Sequence, residues 1–207
     1  MDIYKDTLHA VTSRARIEYR IYIASADTKD LEKYEIRDRF FALCKNGCAN
    51  FENKWCCPPF APFYRDFAGK FKHISVCLTS AQMDQFDYIK NNYLKIKAAN
   101  TILKSRTEKT LRMLIDKDIY YISGGSCRLC KPCKRKMQKP CAHPDIMTYS
   151  FEALGINVTD MVRDLFGIPL LWNRKNQLPE YTSVVAGLLS KDKYDAKAII
   201  KFMKDMN

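Results

Sequence analysis

Four cysteines, Cys127, Cys130, Cys133 and Cys141, fall within fifteen residues. No other feature constrains the fold so tightly. The segment reads CRLCKPCKRKMQKPCAHP, and its spacing of two, two and seven residues turns the chain around a common centre. Thiols gathered in this way are most simply metal ligands. The plainer explanation, a cluster of inert buried thiols, sits badly with a loop that also holds Arg128, Lys131, Lys134, Arg135, Lys136 and Lys139 and no acid. Cations nearby favour the thiolate form that binds metal. Charge compensation is the simplest role for them, although the same loop could dock an acidic redox partner or an anionic substrate.

The spacing also speaks to which metal. Three cysteines at two-residue steps are the ferredoxin-type step, and here the fourth returns on the same segment, so one loop supplies all four ligands of a 4Fe-4S cluster. Zinc is the alternative. Structural zinc usually takes two separated pairs, and Cys133 with Cys141 would make an irregular second pair. Iron–sulfur is therefore the expectation. A site closed by four cysteines leaves no coordination position for a substrate. Ser123-Gly124-Gly125-Ser126 before Cys127 reads as the turn that ends a strand, and His143 as an ordinary loop histidine.

A second group reads CKNGCANFENKWCCPPF. Cys44 and Cys48 lie four apart, and Cys56-Cys57 precede two prolines. Pro58 bars a continuing helix and contributes no N–H. Adjacent cysteines seldom both ligate one cluster, so Cys57 is preferred to Cys56. Cys44, Cys48 and Cys57 then form a three-cysteine site with an open position, the more reactive of the two. A structural zinc site completed by Cys56 or His73 is the alternative. Cys77, within KHISVCLT, is expected to be a buried core thiol.

Nine cysteines in a 207-residue chain would suit a disulfide framework only in a shorter, exported chain. The start, MDIYKDTLHAVTSR, lacks the apolar stretch of a secretory signal, and no apolar run approaches the ~20 residues of a membrane helix. A cytoplasmic protein without membrane contact is expected. The formal charge is +12; two four-thiolate metal sites would lower it to about +8. P-loop, dinucleotide and radical-type cysteine motifs are absent.

Hydrophobic residues make up 47% of the chain, enough for a core. Strands are expected at Arg16–Ala24, Lys72–Thr79, Ile119–Ile122, Gly167–Leu171 and Tyr181–Leu189, the last two joined by a polar loop over Asn173–Glu180. Helical spacing marks Asp30–Leu43, Pro62–Lys70, a long stretch capped by Ser80 and running to about Lys117, Asp145–Phe166 and Lys191–Met206. This order predicts an α/β fold: one domain over residues 1–207 with a mixed β-sheet flanked by helices, and cysteine-rich insertions at 44–59 and 123–144.

At CKNGCANFENKWCCPPF, at GGSCRLCKPC with its following CAHP, and at SFEALGINV, the chain resembles a widespread microbial family of uncharacterised, predicted metal-binding proteins. The likeness spans roughly residues 36–190. It implies metal binding, of iron–sulfur type, through Cys44, Cys48, Cys57, Cys127, Cys130, Cys133 and Cys141, and it implies no particular reaction.

The expected function is therefore an iron–sulfur protein of redox or sulfur-transfer character from an anaerobic microbe. The four-cysteine cluster would be structural or relay electrons, and the three-cysteine site would be reactive. Two other readings compete: a zinc-stabilised basic module that binds nucleic acid, and a non-catalytic metal-binding scaffold. Nucleic acid is the less favoured partner, because the aromatic residues are not interleaved with the basic loop in the sequence.

Overall fold

The computed structural model describes residues 3–172 and 177–205. Five strands form one sheet: β1 (Ile3–Val11), β2 (Arg16–Asp27), β3 (His73–Gln82), β4 (Ile119–Ile122) and β5 (Tyr181–Ser190). Their order is β1-β2-β3-β5-β4. The sheet flanked by helices is the expected α/β architecture. All four pairings are antiparallel, however, so the expected mixture of directions is not found. Alternation of strands and helices suggested parallel neighbours; the one connection between strands of like direction, β3 to β4, passes over β5, which is antiparallel to both.

The central strands are buried on both faces, which is why β3 reads as an unbroken apolar run. Cys77 and Ala81 point into one core with Ile17, Tyr19, Ile21 and Ile23 of β2 and Ala186 and Leu188 of β5. Helices α3 (Asn92–Arg112) and α5 (Ala196–Asp205) close that core through Leu103, Leu111, Ile199 and Met203. Ile74, Val76 and Leu78 point into the other core. It is covered by a 3-10 turn (Thr28–Tyr34), α2 (Tyr64–Ala68), α4 (Val158–Phe166) and Phe151, Leu154 and Ile156. The cysteine segments extend from the edge of this second layer. The remaining helix, α1 (Arg37–Gly47), carries Cys44 and buries none of its residues.

Several local expectations are corrected. Ile3–Val11 is a strand although its start reads as polar and charged: it lies at the sheet edge and buries only Leu8 and Ala10. Ser80 lies inside β3, and Asn91 caps α3 instead, its Oδ1 accepting from Leu94 N at 3.0 Å. The Asp30–Leu43 helix splits at Glu35–Ile36, where Ile36 N donates to Gly155 O at 2.8 Å. Only Val158–Phe166 of Asp145–Phe166 is helical, because Asn157 caps it. Gly167–Leu171 is not a strand. Asn173–Asn176 of the expected polar loop, and Met206 of the terminal helix, lie outside the described residues. Among the described residues no helix is long and apolar enough to cross a membrane.

Candidate metal centre

The chain reaches the second cysteine group directly from β4. Gly124 is required there by a close approach to β5: a Cβ would fall 2.4 Å from Val184 Cγ1. Past this turn, Cys127–Cys141 has a single 3-10 turn, Lys134–Met137, and no longer element. Without a regular backbone to place it, the loop is held by contacts from outside.

Many of those contacts come from the first cysteine group. Lys54 Nζ donates to Ser126 Oγ at 2.9 Å and to the Cys127 carbonyl at 3.0 Å. Trp55 Nε1 donates to the Lys139 carbonyl at 2.9 Å. The Arg135 guanidinium lies 4.4 Å from the centre of the Phe60 ring and 5.3 Å from that of Trp55. These interactions fasten the two segments into one lobe. Below it, Phe67, Tyr120 and Tyr149 form an edge-on aromatic cluster with ring centres 4.7 and 5.1 Å apart. Tyr120 Oη donates to the Met147 carbonyl. Aromatic residues thus pack against the basic loop in space although they are not interleaved with it in sequence.

Inside the lobe, Cys127, Cys130, Cys133 and Cys141 wall one small cavity with Leu129, His143 and Met147. The fifth cysteine on that wall is Cys56. Its Sγ accepts a hydrogen bond from Cys127 N at 3.2 Å and lies 3.8 Å from Cys57 Sγ. The adjacent thiols therefore lie side by side, and only Cys56 reaches the wall of the cavity. Cys57 lies close enough to Cys48 for the charge of one to act on the other, as Cys44 also does. Cys56 thus shares the cavity wall with the other four, while Cys44, Cys48 and Cys57 do not line it. Among the described residues no three His, Cys, Asp or Glu side chains converge on a single-ion position. Every cysteine is a free thiol.

The electrostatics separate the two neighbours. The hydrogen bond from Cys57 lowers the pKa of Cys56; burial opposes this, and Cys127 N–H and the Lys54 ammonium add to it. That bond and burial raise Cys57, so Cys56 is the first of the pair to become a thiolate. Burial is also the leading cause that raises Cys44 and Cys141, with neighbouring thiols adding to it. Tyr120 and Tyr149 are raised first by burial and then by nearby groups that include Cys56. Cys77 is buried in the sheet core, as expected, and burial pushes its thiol up to about 12. His73 pairs with Asp27 across the β2–β3 ladder, 2.8 Å from Nδ1 to Oδ1. His143 reaches the cavity wall, but its residue is exposed.

The sequence profile of DUF2284, a family described as predicted metal-binding proteins, matches residues 29–189. The chain belongs to this family. The match contains both cysteine groups and ends on β5, so it covers the lobe together with β3, β4 and nearly all of β5 and leaves out β1 and β2. No curated protein and no solved structure is significantly similar to the chain.

Residue types alone did not mark Lys54, Trp55, Tyr120, Tyr149 or Met147 as part of the site. For Lys54 and Trp55 the available signal was position: both lie immediately before Cys56-Cys57.

Proposed function

We propose that this member of the family is an iron–sulfur protein in which Cys127, Cys130, Cys133 and Cys141 hold a 4Fe-4S cluster. Cys44, Cys48 and Cys57 hold a second, more reactive centre, and the role is redox or sulfur transfer. One observation carries the reading: the four thiols named from their spacing wall a single cavity. Four thiolates on one zinc ion must each lie about 2.3 Å from a common point. Thiols spread around a cavity suit a polynuclear cluster better. When bound, such a cluster supplies one-electron transfer and, where an iron lacks a protein ligand, a position for sulfur.

The chain's own residues supply the surroundings. Lys54 fixes the backbone at Ser126–Cys127, so the first thiol of the loop is set by the other cysteine segment. Leu129 and Met147 give the cavity an apolar lining, and Tyr120 and Tyr149 shield the lobe from below. Arg128, Lys131, Lys136 and Lys139 are exposed, which suits an acidic redox partner or an anionic substrate at the rim. Arg135 is taken up by Trp55 and Phe60 and adds little to a nucleic-acid surface.

The test is anaerobic purification followed by iron, zinc and labile-sulfide analysis with electron paramagnetic resonance of the reduced protein. Iron and sulfide in equal amounts, with a cluster signal, are expected. Protein that carries zinc and no labile sulfide when prepared without oxygen would sink the iron–sulfur reading.

A further inference from the structure

A larger cavity, of about 250 Å³, lies on the other side of the Gly124 turn. It forms where β4 stops. That strand pairs only with Gly187–Ser190, so the first half of β5 has no partner on this side. Helix α3 and the Leu170–Trp172 segment enclose the space that is left. Ile96, Val158, Leu170 and Val184 make much of its wall apolar.

Two opposite charges are set into that wall, Lys104 of α3 and Glu152. Both residues are half-buried. Neither side chain has a hydrogen bond or an ion pair among the described residues, not even with the other. The Ser183 hydroxyl, on the same wall, is shielded from solvent and has no hydrogen-bond partner. Asn100 Oδ1 accepts from Thr182 Oγ1 at 3.1 Å, which leaves the amide nitrogen as its remaining donor group. Half-buried charges with no counter-ion in contact are unfavourable. Opposite charges that share a cavity without touching leave room for a molecule that carries both counter-charges.

We propose that this cavity binds a small zwitterion, an amino acid with an apolar side chain. Its carboxylate lies against Lys104, its ammonium against Glu152, and its side chain against Ile96, Val158 and Leu170. Burial, followed by Arg128, lowers the pKa of Lys104, while Glu152 and Glu108 oppose this. A bound carboxylate supplies the stabilisation that the ammonium lacks. The charge of Glu152 is also felt at the Cys44 thiol, which it raises. The site stands on its own residues and does not depend on which metal the cysteines hold.

The test uses the full chain, as purified with its metal, in a Trp55→Phe background that leaves Trp172 as the sole indole. L-Leucine and L-methionine are titrated by calorimetry and by Trp172 fluorescence. Isoamylamine and 4-methylpentanoate, which are leucine without its carboxylate or its ammonium, are titrated alongside. Saturable binding of the amino acids is expected, with each analogue weaker by on the order of ten-fold or more for its missing charged contact. Lys104→Met should remove the preference for leucine over isoamylamine and keep the preference over 4-methylpentanoate; Glu152→Gln should do the reverse. The analogue comparison uses the unmutated cavity, so it decides the matter even where a variant fails to fold. No saturable response to either amino acid, or analogues that bind as tightly as leucine, overturns the proposal.

Discussion

The two cysteine groups are built on unlike supports. Cys127–Cys141 is almost all loop, yet its thiols share one cavity wall, and it is tied to the sheet through the β4 turn and to the other segment through Lys54 and Trp55. Cys44 and Cys48 ride on the end of a regular helix that buries nothing. The irregular segment is thus the better anchored, and the regular one leans outward. Regular backbone does not by itself place a site; burial and contacts with the rest of the molecule do. The carbonyl end of α1 also faces this group, since Cys48 N donates to Cys44 O at 3.1 Å in the last turn. A helix C-terminus disfavours thiolates, and burial likewise raises the Cys44 thiol.

The largest expected effect separates the groups directly. Cys130→Ser should abolish the centre in the four-thiol cavity, whereas Cys44→Ser should remove only the other. Iron and sulfide per chain in the two variants measure this, and complete loss of iron in Cys44→Ser would break the distinction. In both, far-UV circular dichroism should stay close to that of the parent, because neither thiol belongs to the sheet cores. Exchange of the α1 amides should rise on metal removal before that of β3.

Next in size is the link between lobe and sheet. Phe151 is buried against β5, where a Cβ on Gly187 would meet its Cζ at 2.8 Å. Phe151→Ala should cost about 3–5 kcal/mol in denaturant unfolding. If the lobe is anchored through its own contacts, the variant should keep its metal content while folded.

At alkaline pH one buried group of the sheet, Cys77, can be read by its own substitution. The folded state holds the Cys77 proton up to about 12, against an ordinary value of 9.0. The corresponding stability is complete below pH 9 and is lost as pH rises from there towards 12, by up to about 4 kcal/mol. Tyr64 and Tyr121, also raised by burial, act in the same direction above 10. Cys77→Ala should flatten the fall in unfolding free energy across this range. An unchanged slope would show that the thiol is not the responsible group.

The smallest effect concerns the clamp between the segments. Arg135→Ala removes the contact with Trp55 and Phe60 and should cost about 1 kcal/mol. A change in Trp55 fluorescence should accompany it, with four-thiol metal content unaltered.

Much of the sheet was legible as sequence because three of its strands are short apolar runs bounded by breaks, as in KHISVCLT. The edge strand β1 was not, since an edge position lets Lys5, Asp6 and Thr7 interrupt the apolar pattern. Helix boundaries were misplaced where one polar residue outcompeted another: Asn91, not Ser80, found a free N–H to cap. Within the site, spacing grouped Cys127, Cys130, Cys133 and Cys141, and the structure puts them on one cavity wall. Spacing could not choose between Cys56 and Cys57, because the turn that holds both is fixed by contacts with a loop some seventy residues away.

The sequence by itself determined that thiols would gather, which cysteines would lie close to one another, and that an α/β body would carry them. Short-range spacing is enough for this, because a few residues of chain cannot separate far. Only the tertiary structure decided that the two groups meet, that Cys56 and not Cys57 lines the four-thiol cavity, and that Lys104 and Glu152 share a wall. Those pairings join residues dozens of positions apart, and it is the burial of two cores on one sheet that fixes their distances.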